Sequence, residues 1–180
     1  MTRIIPPVAV ALSLILGTPA LAQTVILVRH AEKADQSTDP VLSEAGEARA
    51  RALAERLSDQ RPRMIIRTPL RRTGMTAAGL TEQTEDGRRP TVAVVPIQGR
   101  SLRQHVDEVV RLIREQSPDT TVLVVGHSNT VPLIARALGQ ATPNMSECEY
   151  DRLLTLRLQG DSVSGVTTRY GAPSDCSAAD

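Results

Sequence analysis

Unbroken apolar runs recur along the chain: TVILV at Thr24–Val28, the centre of RMIIRT at Arg63–Thr68, TVAVV at Thr91–Val95 and TTVLVV at Thr120–Val125. Short runs rich in Val and Ile, with no polar alternation, are the pattern of strands covered on both faces. Between them the period changes. In LSEAGEARARALAERLSD, Leu42, Ala45, Ala48, Ala52 and Leu53 fall near one helical face, and Ser43 stands where an N-cap belongs. Helices are likewise predicted over Arg71–Leu80, Leu102–Gln116 and Val131–Leu138. In the third of these four, Leu102, Val106, Val109, Val110 and Ile113 keep the helical spacing. Arg152–Leu158 and Val163–Tyr170 alternate enough to be a closing hairpin, with Gly160–Asp161 in its turn. TEQTEDGRRP between Leu80 and Thr91 is a polar loop. Strands alternating with helices predict an α/β fold: a three-layer sandwich with a mainly parallel central sheet flanked by helices.

The first residues follow a different pattern. Arg3 precedes the apolar run IIPPVAVALSLILG, which ends in Ala20-Leu21-Ala22. A basic start, an apolar middle and small residues at the end describe a secretory signal peptide. The run is short for a membrane span and contains two prolines, so no stable membrane insertion is expected after cleavage. Cleavage after Ala22 would leave residues 23–180 as one domain, exported to a periplasmic or extracellular location. It would also remove one of the 21 basic residues and none of the 20 acidic ones, leaving a neutral chain. A neutral chain with no Phe or Trp and only two Tyr offers neither the charge nor the stacking surface for nucleic acid. The core has to be built from Leu, Val, Ile and Ala. Cys148 and Cys176 are the only cysteines. In an exported protein such a pair usually forms a disulfide, and two unrelated thiols are the alternative. The last residues, GAPSDCSAAD, are expected to be loose unless Cys176 tethers them.

Charge gathers where the strands end. The first strand runs into Arg29 and His30, followed by Glu32 and Lys33, the single lysine of the chain. The second ends just before Arg71 and Arg72, and the fourth at Gly126-His127-Ser128. In an open α/β sheet, ligands sit outside the carboxyl ends of the strands. Three segments thus bring two histidines and at least two arginines to one edge. Clustered guanidinium groups call for an anion, and phosphate oxygens match their forked geometry. Other chemistries fit less well. GHSNT lacks the second glycine of a nucleophile elbow, and neither GxGxxG nor a GK[ST] loop is present. No HExxH or CxxC suggests a metal, and His105 reads as a surface residue of its helix.

VRHAEKA, RTPLRRTGMTA and VVGHSNTVP, in this order, resemble the three signature motifs of the histidine phosphatase superfamily, the phosphoglycerate-mutase-like group. The resemblance spans about residues 24–139. It implies a phosphoglycerate-mutase-like fold, a small phosphorylated substrate and no cofactor or metal. His30 resembles the nucleophile that becomes phosphohistidine, with Arg29 and Arg72 as phosphate clamps and His127 as the second histidine. Lys33 and Ser128 would be substrate-binding. Two departures stand out. Ala31 replaces the glycine usual after the nucleophile. The glutamate many relatives carry after the third strand is missing: PIQGRSLRQH holds no carboxylate before Asp107. Glu32, Glu147 and Glu149 are the candidates for a leaving-group proton donor, with Glu32 first because it shares the His30 loop. The reading is an exported, metal-independent phosphatase acting on a phosphate monoester. A phosphate-binding module with little turnover, or a mutase, is the alternative.

The leader yields the first test. Intact-mass measurement of the exported protein should give a chain beginning at Gln23; a mass retaining Met1–Ala22 would refute cleavage.

Overall fold

The computed structural model describes residues 22–82 and 87–176. The leader assignment at residues 1–22 lies almost wholly outside them. Among the described residues six strands form one sheet: β1 (Gln23–Arg29), β2 (Met64–Arg67), β3 (Thr91–Val94), β4 (Thr121–Gly126), β5 (Arg152–Gln159) and β6 (Ser162–Arg169). Their order is β3-β2-β4-β1-β5-β6. The first four run parallel, and β5 and β6 are antiparallel additions at the β1 side. Among the described residues four helices, α1 (Glu44–Arg56), α2 (Arg71–Ala77), α3 (Leu102–Arg114) and α4 (Val131–Leu138), complete the layers, with one 3-10 turn at Ala78–Leu80 after α2. This is the mixed α/β sandwich expected from the strand–helix alternation.

Residue parity along the central strands divides the core in two. Val25 and Leu27 of β1, Met64 and Ile66 of β2, and Val122 and Val124 of β4 face α3 and α4, where they meet Val109, Ile113, Ile134 and Leu138. Ile26, Val28, Ile65, Leu123 and Val125 face the other way, onto Leu53 and Leu57 from α1 and its C-cap and Ala77 of α2. Each fully buried aliphatic side chain contributes about 1.5–3 kcal/mol of transfer free energy. Strands covered on both sides need no polar alternation, which is why β1 and β4 read as continuous apolar runs. β3 and β6 are the edges, and Val92, Val94 and Val166 are exposed there.

The helix starts follow local chemistry. Ser43 caps α1 by accepting from the Gly46 N–H at 3.1 Å. Ser101 and Gln104 form a reciprocal capping box at the start of α3. α2 has no side-chain cap of its own; Asp39, from the loop after β1, accepts from the Arg71 N–H at 2.8 Å instead. His105 differs from its sequence reading. It lies on the inner side of α3 and is 2 % exposed, because position 105 shares the face of Leu102, Val106 and Val109. Its ring points its Nδ1 at the Pro96 carbonyl, 3.4 Å away.

The fold places the site by divergence. β1 and β4 are neighbours, with Arg29 in register with Gly126. The chain leaves β1 toward α1 on one face and leaves β4 toward α4 on the other. A crevice opens between two such departing loops, the usual ligand position in this architecture. The loop after β1 is held against α1 at Gly46. A Cβ there would lie 2.3 Å from the Glu32 carbonyl oxygen, so only glycine allows the close approach. Gly46→Ala should therefore displace the loop that follows His30. Overpacking of this kind costs about 1–3 kcal/mol. A lowered melting temperature together with reduced turnover is expected; an unchanged melting temperature would show that the contact is not limiting.

Candidate active site

The loops after β1, β2, β3 and β4 enclose a cleft of about 370 Å³, lined by Arg29, His30, Lys33, Arg72, His127 and Ser128 among others. These six are the clamp, nucleophile and substrate-binding candidates read from the sequence, and they share one cavity. Leu70, Ile97, Gln98, Asn129 and Glu147 complete the lining. Glu32 is elsewhere. Its carboxylate takes a forked ion pair from Arg49, with Nη2 at 2.6 Å and Nε at 2.9 Å, and it lines a separate cavity beside α1. The structure therefore removes the sequence-based reason for ranking it first as proton donor. Glu149 is also engaged, by Arg152 and Arg169.

His30 extends the sheet by one hydrogen bond, from its N–H to the Gly126 carbonyl at 2.9 Å. Its backbone is thus as fixed as the strand. Its Nδ1 lies 2.7 Å from the Ala31 carbonyl oxygen. A carbonyl only accepts, so Nδ1 carries the proton and Nε2 keeps its lone pair in the neutral ring. Ala31 is fully buried and donates its N–H to Thr76 Oγ1 at 2.9 Å. The methyl group is accommodated without loss of that bond.

His127 follows β4 directly. Its N–H donates to Thr130 Oγ1 at 2.8 Å, and its Nε2 lies 3.2 Å from Thr68 Oγ1. Thr68 is in turn 3.1 Å from the Thr73 hydroxyl. The two threonines, from the RTPLRRT motif, set the rotation of a ring two strands' loops away. The sequence singled out the arginines of that motif and not the threonines. The His30 and His127 rings meet edge to face, with centroids 5.2 Å apart. Burial lowers both to about 3; His127, Arg29 and Arg72 reinforce this for His30, as do Arg72, His105 and Arg29 for His127. Both rings are neutral near pH 7.

Arg29 is 2 % exposed, and its burial is answered on several sides. Nη1 donates to the carbonyls of Ser146, Glu147 and Glu149, at 3.1, 2.6 and 3.3 Å. Nη2 donates to Glu147 Oε2 at 2.9 Å, and the guanidinium lies 4.0 Å over the Tyr150 ring. A disulfide between Cys148 and Cys176 holds the same loop, with Cα atoms 5.1 Å apart. Ser174 Oγ also accepts from the Tyr150 and Asp151 N–H groups, so the tail is pinned through Cys176. Arg72 stands in the first turn of α2. Its nearest carboxylate contact, Nη1 to Asp39, is 4.0 Å and too long for a hydrogen bond. Burial and the neighbouring Arg29 charge lower its proton affinity from the ordinary arginine value.

Three buried guanidinium nitrogens are thus without an acceptor among the described residues: Arg29 Nε, Arg72 Nε and Arg72 Nη1. Unsatisfied buried donors are costly, and those on ionised groups most of all. Both arginines line one cleft with two neutral imidazoles, so an oxyanion is the group that would satisfy them. Lys33, tied to Gln36 Oε1 at 2.8 Å, and Ser128 stand at the same cleft. Among the described residues no group of three His, Cys, Asp or Glu side chains is assembled that could hold a metal ion.

Residues 25–98 match the model of the histidine phosphatase superfamily (branch 1). No curated protein matches the chain. Among solved structures, a SixA protein from Nakamurella multipartitia superposes with a TM-score of 0.62 at 21% identity, over 87% of this chain and 99% of that one. A protein histidine phosphatase SixA complexed with tungstate gives 0.61 at 20% identity, over 86% and 98%. A mycobacterial glucosyl-3-phosphoglycerate phosphatase gives 0.59 at 19% identity, over 84% and 99%. At these identities the likeness is one of fold, that of the phosphoglycerate-mutase-like structures.

The two histidines generate a pH prediction. In an unfolded chain each titrates near pH 6.5. The fold holds each neutral down to about pH 3, so between those values the unfolded chain binds more protons. Stability should fall as pH drops from about 6.5 toward 3, by on the order of a few kcal/mol. Ring C–H resonances of His30 and His127 should stay flat from about pH 8 to 5. Titration of either ring near its ordinary value would contradict this account.

Proposed function

We propose that this chain is an exported, metal-independent histidine phosphatase that hydrolyses a phosphate monoester through a phosphohistidine on His30. The observation that carries the reading is the pairing of orphaned arginine donors with a neutral histidine whose Nε2 lone pair is free. The match to the histidine phosphatase superfamily and the phosphatase names of two fold neighbours point the same way.

A phosphate monoester is a dianion near neutral pH and repels most nucleophiles. Arg29 and Arg72 would offset that repulsion and hold the phosphoryl oxygens. His127 and Ser128 would bind the remaining oxygens, and Lys33 would attract the anion at the mouth. Neutral His30 can attack in line without first losing a proton. As the P–N bond forms, its Nδ1–H stays on the Ala31 carbonyl, which stabilises the positive ring. Phosphoryl transfer is governed by positioning and charge, and here arginine side chains can supply the cations. Water then cleaves the P–N bond and releases phosphate. Export is supported by the signal-like leader and by the Cys148–Cys176 bond, which suits an oxidising compartment.

A phosphoramidate is labile in acid and stable in base. Brief mixing with labelled substrate and an alkaline quench should trap label on the protein, and His30→Ala should abolish both label and turnover. Arg72→Ala should reduce kcat by about 10²–10³-fold, the loss found when one preorganised donor is removed. Chelator should leave activity unchanged. Turnover by His30→Ala, or activity lost to chelator, would overturn the mechanism.

A further inference from the structure

Among the described residues Glu147 is the only carboxylate that lines the cleft. It stands in the irregular segment between α4 and β5, on the loop whose carbonyls hold Arg29. Its two oxygens are divided: Oε2 accepts from Arg29 Nη2 at 2.9 Å, and Oε1 accepts from the Ser128 hydroxyl. The Glu147 side chain is 81% exposed while its arginine partner is 2% exposed, so one member of the pair is fixed and the other can swing. The other nearby carboxylates are committed away from the cleft. Glu32 is held by Arg49, Glu149 by Arg152 and Arg169, and Asp151 by Arg169. Asp39 caps α2 at the Arg71 N–H, 4.0 Å from Arg72 Nη1, and is not part of the cleft lining.

The carboxylate thus occupies, on Arg29 and Ser128, contacts that an incoming phosphoryl group also seeks. A bound substrate would exchange one anion for the other. Once a phosphoryl oxygen has taken Arg29 Nη2, Glu147 has lost its cation and faces a second anion across the cleft. A proton brought by the monoanionic substrate or taken from solvent, and held between carboxyl and leaving-group oxygen, relieves that repulsion.

We propose that Glu147 is the catalytic proton donor to the leaving group, displaced from Arg29 by the substrate it then protonates. This rests on the phosphohistidine reading above. In the first step the His30 Nε2 lone pair forms the P–N bond, the P–O ester bond breaks, and its electron pair takes the Glu147 proton, releasing an alcohol. In the second, a water oxygen attacks phosphorus, its proton passes to the Glu147 carboxylate, and the P–N electron pair returns to Nε2. The sum is ester plus water giving alcohol plus phosphate.

Glu147→Gln keeps the size of the side chain and one oxygen for Arg29 or Ser128, but cannot release a proton. Turnover of an alkyl phosphate should fall about 10²-fold or more, as expected for loss of a general acid. Turnover of 4-nitrophenyl phosphate, whose leaving group needs no proton, should have its phosphorylation step nearly unchanged. Label on His30 should still form from the nitrophenyl ester and should persist longer, because the second step lacks its base. Glu147→Asp, with a carboxyl of shorter reach, should fall between wild type and Gln on the alkyl ester. Equal loss in the phosphorylation step on both ester classes would mean that Glu147 only positions Arg29, and no loss on either would give it no part; both results overturn the proposal. Neither touches the underlying mechanism, which is refuted separately if His30→Ala retains turnover.

Discussion

A guanidinium buried at the end of a central strand costs several kcal/mol unless its charge and its donors are answered. Arg29 is that group, and the segment 146–150 is arranged around it. Three carbonyls of the segment 146–149 take one nitrogen, Glu147 takes another, and Tyr150 lies beneath the plane. The loop has no helical or strand ladder of its own, so these contacts largely define its path. The disulfide to Cys176 and the Ser174 hydroxyl fix the same loop from the far side. The nitrogen left over, Nε, faces no acceptor, and Arg72 repeats the situation with two. These unanswered guanidinium donors gather at the cleft, where an anion would satisfy them.

Beneath this lies a topological constraint. Neighbouring β1 and β4 send their chains to opposite faces of the sheet, and the two histidines stand on the first residues past the divergence. Rigid strands, dry on both sides, fix those backbones. Burial of the rings also keeps them neutral, so one feature supplies both position and protonation state. Small threonines do the finer work: Thr76 holds Ala31, Thr68 holds His127, and Thr73 holds Thr68.

The strands and helices were legible because the apolar period changes sharply between them. The convergence of Arg29, His30 and His127 was legible because they stand at strand ends, and that of Arg72 because it opens the helix just after the second strand; such positions converge at one edge of a parallel sheet. The order of the sheet was not, since nothing local records which strand pairs with which. Glu147 could only be one of several candidates: it sits in a stretch without period, and its place is set by Arg29, a partner 118 residues away. Glu32 misled by proximity. It is two residues from His30, yet its carboxylate is held by Arg49 of α1 and lines a separate cavity. His105 was misread although the signal was present, one position before Val106 on the buried face of α3.

The scarcity of aromatic residues has an optical consequence. The chain contains no tryptophan and only two tyrosines. Tyr170 is buried behind α1 near Arg49, remote from the cleft lining, while Tyr150 lies under Arg29 with its ring 6.1 Å from that of His30. Near-ultraviolet emission therefore comes from one ring in the core and one in contact with the machinery. Any rearrangement of the Arg29 guanidinium changes the electric field on the second ring alone. The protein carries an intrinsic chromophore at its cleft, read against an internal reference that stays dry.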